Sequence, residues 1–449
     1  MKRPQFVTKT GAIAATVGSA VGLGNIWRFP YELGANGGGA FLLVYIISVL
    51  LVGFPVMLSE FVIGRATHKN SRAAIKELLP KSALHNMSYL SIVCSVLLIS
   101  FYSVVGSWVM CFLIQSLGGY MVGHTVTEYN ANFGWYLANP YLLVGGTLVY
   151  MFVNYLILSR GIVKGIERAS NVMMPLLFLL LVVFCVNAMM MPKAGEGLEF
   201  MFKPDFSALT PSVVLQAMGQ AFFSLSLGLS CVLTYASFFS DDDSLLRNAG
   251  VVMVLDTMVA LLAGVMIFPV IFSFGAEPAA GPKLVFEVLP NIFQQLPGAY
   301  FWAVAFFLLL FFACVTSSVS MLEIPITFLI EETGISRRKA VGIASAIACV
   351  LGALCALSFN VLSGCTLFGK SIFDLFDYAT SNIFMPLGGL LFTVIVGWLI
   401  DKRILESQLT NGGVLRVPRW LLFAIRVCIR YVAPAAIIVI FLYCLGVIG

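Results

Sequence analysis

Long apolar runs, each closed by a short polar stretch, recur from one end of the chain to the other. Runs of about 20 residues, enough to cross a hydrocarbon core, fall near 12–33, 40–63, 88–119, 141–158, 172–191, 213–239, 249–274, 299–329, 340–358, 375–399 and 421–446. In lipid, backbone groups must be satisfied within their own segment, so runs of this length predict helices. The expected fold class is an all-α polytopic membrane protein with eleven transmembrane helices.

Two runs break the pattern from within. The first holds GSAVGLGNIWRFP (18–30), in which three glycines, a serine, an asparagine and an arginine sit together. Gly18, Gly22 and Gly24 each weaken a helix by about 1 kcal/mol relative to alanine. The sixth, FFSLSLGLSCVLTYAS (222–237), puts Ser224, Ser226, Gly228 and Ser230 at alternate positions. The first and sixth of eleven helices hold the same place in two five-helix units, and an odd number of crossings inverts the second unit. Interruptions at matching places point to an inverted-repeat transporter with its site near the bilayer midplane. Unwound segments free carbonyls for cations, and half-helix N-termini can face a carboxylate. Small residues that only let helices pack closely remain the alternative, weaker for two matched segments than for one.

Composition agrees with the membrane class. Of 449 residues, 60% are hydrophobic and only 10% charged, more apolar surface than a soluble domain can hide. The net charge of +5 reflects topology rather than a nucleic-acid partner. Basic residues concentrate at 1–9, 65–81, 159–168, 337–339 and 402–419, and the 120–139 loop has none. The positive-inside rule then puts the N-terminus in the cytoplasm and, with an odd number of helices, the C-terminus outside. The first run shows no small-residue cleavage site, so it is not expected to be a removable signal. A prokaryotic cell (inner or plasma) membrane is expected. The ten cysteines are scattered without a CxxC pair and read as small buried hydrophobes. The three histidines (His68, His85 and His124) fall in loops and carry no assigned chemistry.

Acids and hydroxyls inside the runs are the chemical candidates. Asp256 lies in VVMVLDTMVALLAGVMIF, far from either end. A carboxylate there costs at least about 2.5 kcal/mol and is a functional candidate by default. Asp377 and Glu323 are placed nearer helix ends. The eighth run carries FFACVTSSVSM (311–321), where Thr316, Ser317, Ser318 and Ser320 either bond back to the preceding turn or build a hard-cation site.

GSAVGLGNIWRFPYELGANGGGAF (18–41) resembles the signature of the neurotransmitter:sodium symporter (solute carrier 6) family, in its prokaryotic amino-acid transporter branch. The likeness continues in order through GRA, SRGIVKGIERASNVMMP (159–175), GQAFFSLSLG (219–228), DTMVALLAG (256–264), FFACVTSSVSMLEIP (311–325) and RVPRW (416–420), and so covers essentially the whole chain. It implies a leucine-transporter-like fold, with residues 1–191 as the first inverted repeat, 213–399 as the second and 400–449 as a peripheral eleventh helix. It implies a sodium-coupled symporter, not an enzyme, that imports a neutral hydrophobic or aromatic L-amino acid by alternating access. The expected partners are the amino acid, sodium ions and the lipid bilayer, with no nucleic acid.

Two sodium sites follow from the resemblance. One would use Ala20, Asn25, Ser224 and Asp256 together with the substrate carboxylate, and the other Gly18, Val21, Ala313, Thr316 and Ser317. The substrate would lie against Ser19, Ala20, Gly22, Leu23, Gly24, Leu98, Tyr102, Phe223, Ser224, Ser226, Leu229, Ser317 and Met321. Relatives that carry monoamines have an Asp where this chain has Gly22, so the substrate must bring its own carboxylate. Animal members bind chloride near a serine of the seventh helix; here that place is Ala260, with Asp256 one turn earlier, which implies chloride independence even though Tyr45 and Gln220 match the chloride region. Arg28 and Asp377 would pair as the outer gate. Arg3 and Glu331, with Phe6 at a usually tryptophan position, would form the cytoplasmic latch. Gly165 and Pro175 frame a fifth-helix segment able to unwind. An enzyme lacks any nucleophile–base or metal pattern here, and a channel would not need paired broken helices. A non-transporting sensor on the same fold stays open.

Overall fold

The structure is a computed structural model that describes residues 5–124, 126–275 and 284–447. Among these residues, nine helices are long and apolar enough to cross a membrane. They run Gly39–Thr67, Ala83–Leu117, Pro140–Ser159, Ile162–Met189, Leu245–Phe274, Ala299–Thr333, Arg337–Leu357, Ile372–Leu399 and Arg419–Cys444. Each coincides with one of the predicted runs. The other two runs, the first and the sixth, are each a pair of shorter helices about a break: Lys9–Ala20 with Phe29–Ala35, and Pro211–Ser224 with Cys231–Ala236. Spans are numbered below in the order of the eleven predicted runs.

Prolines shape several helices in one recurring way. A proline has no N–H, and its ring clashes with the carbonyl four residues back. Wide turns at Gly24–Arg28, Val49–Gly53, Ala379–Phe384 and Cys428–Val432 precede Pro30, Pro55, Pro386 and Pro434. In each, the residue before the proline donates to the carbonyl five back, as Phe29 does to Gly24 and Phe54 to Val49. The wide turn relieves the clash without ending the helix. Three of these lie in the second, tenth and eleventh spans, so even the unbroken spans bend at set places.

The third and eighth spans pack along each other and the ninth along the fourth, forming a wall behind the broken helices. Tyr150 of the fourth span bonds the Ser318 hydroxyl at 2.9 Å, and Ser318 donates to Asn154 Oδ1 at 2.6 Å. This buried polar link fixes the rotation of the eighth span and so aims its neighbouring hydroxyls, Thr316 and Ser317, at the first span.

Candidate substrate and cation site

A helix end leaves its last four carbonyls without intrahelical partners. The first half-helix ends at Ala20, so the carbonyls of Gly18, Ser19 and Ala20 are released beyond the last capped one. Val21 is extended (φ −66°, ψ 113°) and closes the end with a bond to the Val17 carbonyl. Hydroxyls from other spans reach the freed backbone. Ser226 donates to the Ser19 carbonyl at 3.1 Å, and Ser317 lies 3.0 Å from the Val21 carbonyl and 3.5 Å from that of Gly18. The break is thus a set of inward-facing carbonyls held by the sixth and eighth spans.

The sixth span breaks for a different local reason. Ser226 (φ +52°), Gly228 (φ +81°) and Ser230 (φ +66°) all adopt left-handed backbone. Their alternate spacing is the alternation seen in the sequence. Two of the three carry a Cβ, so the segment is strained. Glu60, buried in the second span, compensates: it accepts the Gly228 N–H at 2.7 Å and the Leu233 N–H at 3.3 Å. At Gly228 a Cβ would run into the Met385 carbonyl, so only glycine fits.

Two oxygen clusters flank the breaks. In the first, Asn25 Nδ2 donates to Ser224 Oγ (2.8 Å), Asp256 Oδ1 (2.8 Å) and the Asp256 carbonyl (3.2 Å). Ser224 donates to Asp256 Oδ2 at 2.7 Å, and Asn25 Oδ1 receives the Gly22 N–H at 3.0 Å. Asn25, Ser224 and Asp256 are all buried. In the second, the Gly18 and Val21 carbonyls face Ser317, while Thr316 Oγ1 lies within bonding distance of the Phe312 (2.9 Å) and Ala313 (3.3 Å) carbonyls. Met174 and Thr316 press on Gly18, where a Cβ would sit 3.2 Å from Thr316 Cβ and 3.3 Å from Met174 Sδ. Both donor sets are oxygen-only, the chemistry of a hard cation. They are buried and bear one carboxylate between them, which fits a monovalent ion better than a divalent one.

Between the clusters lies a tight cavity of about 30 Å³. Ala20, Gly22, Leu23, Gly24, Leu98, Tyr102, Phe223, Ser224, Ser226, Leu229, Ser317 and Met321 line it, all of them expected, together with Phe101 and Met385, which were not. Ser19 does not line it; its hydroxyl turns back to the Thr16 carbonyl at 2.7 Å. At Gly22 a Cβ would stand 2.5 Å from Ser317 Oγ and 3.4 Å from the Tyr102 hydroxyl. That buried hydroxyl has no well-formed hydrogen bond among the described residues, a donor left beside bare backbone.

Tyr102 and Phe223 also floor a larger vestibule lined by Trp27, Arg28, Glu32, Phe373 and Asp377. Arg28 and Asp377 therefore face one space, but the expected bridge between them does not form. Arg28 pairs with Glu32 one turn away (3.7 Å) and lies over the Phe223 ring (4.2 Å). Asp377 accepts from Ser381 at 3.0 Å. The physical reason is proximity: an acid at i+4 on the same helix is within reach without closing the vestibule.

The opposite face is closed. Phe6 packs edge-on against Tyr235 and Phe238 and tilted against Phe239, and its N–H bonds the Phe238 carbonyl at 3.1 Å. Glu167 accepts the N–H groups of Val7 and Thr8 and the Thr8 hydroxyl (2.8 Å). Glu331 accepts both the backbone and side-chain N–H of Asn70. Arg3, expected opposite Glu331, lies outside the described residues. Glu323 is not a site acid; it is fully buried and bridged to Arg337 at 2.7 Å. Gly165 sits in a wide turn (Ile162–Glu167), while Pro175 lies inside a continuous helix, so the segment is not unwound. Sequence reasoning missed Glu60 and Glu167, whose partners lie more than 150 residues away. An acid inside the second apolar run was the available signal for Glu60.

The profile of the sodium:neurotransmitter symporter family matches residues 3–132 and 144–448. The sodium-dependent transporter YhdH of Bacillus subtilis is 37% identical over 448 residues, covering 100% of this chain and 99% of that one. The sodium- and chloride-dependent taurine transporter of Rattus norvegicus is 26% identical and covers 89% of this chain and 71% of that one. The crystal structure of MhsT in complex with L-phenylalanine superposes with a TM-score of 0.91 at 37% identity, covering 98% of this chain and all of that one.

Proposed function

Because the chain belongs to the sodium:neurotransmitter symporter family, and is thus a sodium-dependent multi-pass membrane transporter and not an enzyme, we propose that it imports a neutral hydrophobic or aromatic L-amino acid with sodium and without chloride. The fold is leucine-transporter-like. The observation that carries the substrate reading is the cavity itself, whose lining brings the Gly22–Gly24 backbone and the Tyr102 hydroxyl together with Leu98, Leu229 and Met321. A substrate carboxylate would find the backbone donors and Tyr102, and an apolar side chain the rest. The L-phenylalanine bound to MhsT supports an aromatic occupant.

Two sodium ions are transported substrates in this reading. One is held by Ala20, Asn25, Ser224, Asp256 and the substrate carboxylate; the other by Gly18, Val21, Ala313, Thr316 and Ser317. A carboxylate shared between substrate and ion makes each bind better in the presence of the other. Asp256 provides the fixed negative charge that chloride would bring, and Ala260 offers chloride no hydroxyl. Arg28, Asp377, Tyr102 and Phe223 act on the outer path, and Arg3, Phe6 and Glu331 on the cytoplasmic path. Residues 1–191 and 213–399 form the inverted halves, with 400–449 peripheral. The membrane is the prokaryotic plasma membrane, with the N-terminus cytoplasmic and the C-terminus outside.

The test is binding of each of the twenty amino acids to purified protein in sodium and in potassium, repeated with gluconate in place of chloride. Tight binding of an aromatic or aliphatic amino acid, in sodium only and unchanged in gluconate, is expected. Equal binding in potassium would sink sodium coupling at this site, and loss in gluconate would sink chloride independence.

A further inference from the structure

Three helix ends on the side of the closed face meet at one open depression. Arg160 caps the fourth span, Lys164 and Arg168 flank the turn into the fifth, and Arg338 stands in the first turn of the ninth; Tyr155 and Ser159 complete the lining. Four cations thus line one cavity, with no carboxylate among its lining residues. The nearby acids are engaged elsewhere: Glu167 holds the N-terminal segment and Glu323 is bridged to Arg337. None of the four cations forms a salt bridge among the described residues.

The helix behind them has the wrong charge for its end. Arg337, Arg338 and Lys339 open the helix Arg337–Leu357, where the macrodipole favours anions. Ser336, at the N-cap, makes no side-chain bond to the free amides. Four cations and an uncapped helix N-terminus both call for an anion with several oxygens, which is a phosphate. The wall beside the depression is greasy. Leu156 and Phe152 are exposed one and two turns before Arg160, and Phe152 stacks with Tyr155 at 6.3 Å. A tyrosine between apolar and basic residues marks a membrane–water boundary.

We propose that this depression binds the phosphate headgroup of an anionic phospholipid of the cytoplasmic leaflet, with acyl chains along Phe152 and Leu156. Basic pockets between spans on this side suit such headgroups, at about 1 kcal/mol per Lys or Arg near the surface. The site lies outside the transport path and needs only the membrane orientation given above.

The experiment is native mass spectrometry of the full chain titrated with phosphatidylglycerol, beside thermal melting in phosphatidylcholine nanodiscs with and without phosphatidylglycerol. The variant is R160Q/K164Q/R338Q, and a charge-matched control is K402Q/R403Q/R416Q. Sodium-dependent melting shifts check that both remain folded. Loss of three contacts predicts roughly a hundredfold weaker phosphatidylglycerol binding in the variant. The control is expected to bind like the wild type. Equal weakening in both, or no preference for phosphatidylglycerol over phosphatidylcholine in the wild type, overturns the site. A parallel arm uses inorganic phosphate; if it reproduces the whole site-dependent shift at equal concentration, the lipid assignment is overturned in favour of a soluble phosphate.

Discussion

At the residue scale, two positions separate binding from folding. Asp256 accepts from Asn25 and Ser224, so its carboxylate orients both neighbours, and in the proposed reading it also offers oxygens to an ion. Asp256→Asn keeps the shape and removes the charge. Interactions with a charged group are worth about 1.5–3 kcal/mol, so the sodium concentration for half-maximal substrate binding should rise roughly ten- to hundredfold. Sodium titration of substrate binding checks this, and an unchanged midpoint would remove Asp256 from the ion's shell. Gly22 is the complementary case. A Cβ there stands 2.5 Å from Ser317 Oγ, and both residues line the cavity, Gly22 bonding into the first oxygen cluster and Ser317 into the second. Ser317 can rotate away, so Gly22→Ala should fold with a melting temperature close to that of the wild type and yet lose most substrate binding. Scintillation proximity binding beside a melting curve reads both; a variant that binds normally would place the carboxylate elsewhere.

At the element scale, the breaks were legible because they are written in residue type. The alternation of Ser226, Gly228 and Ser230 is the alternation of left-handed residues, and the glycines of 18–24 mark where the first helix ends. The cavity residues followed because the two breaks and the third and eighth spans contribute nearly all of them. What stabilises the breaks was not legible. Glu60 sits in an apolar run and acts on backbone 168 residues away, a pairing that only the packed structure creates. The Arg28 partner was misjudged because a resemblance carries residue types, while a competing acid one turn off is a local matter. Glu60 also supplies a prediction. Glu60→Gln replaces an acceptor-only carboxylate by an amide that can keep one of the two bonds. Loss of a buried bond to a charged acceptor costs about 1.5–3 kcal/mol, and the loss falls on the strained segment. Amide hydrogen exchange at 225–234 should accelerate while the flanking spans stay protected. Uniform acceleration along the chain would mean that Glu60 holds the whole bundle rather than the break.

At the scale of the whole molecule, the closed face and the vestibule stand on opposite sides of one cavity, and alternating access requires that they exchange. Among the described residues, Phe6 and Glu167 hold the N-terminal segment over the inner side. Phe6 lies against three aromatic rings, and Glu167 gathers three donors from Val7 and Thr8. The first half-helix therefore carries the Phe6 and Glu167 latch at one end and, at its other end, the carbonyls of Gly18 and Val21. If the proposed ion bridges Gly18 and Val21 to the eighth span, loosening the latch would free the whole rod and the ion would pull it back. Phe6→Ala combined with Glu167→Gln should thus favour the inward-open form, and binding from the outside should weaken in proportion to the competent fraction remaining. Hydrogen exchange across 5–20 and 231–239 should rise in potassium and return toward the wild-type level in sodium, since a ligand shifts a two-state equilibrium only by its differential affinity. Sodium rescue is the decisive part. Faster exchange that sodium fails to reverse would mean that the latch variants merely fray the N-terminus, and that the ion site and the inner gate are not coupled through the first half-helix.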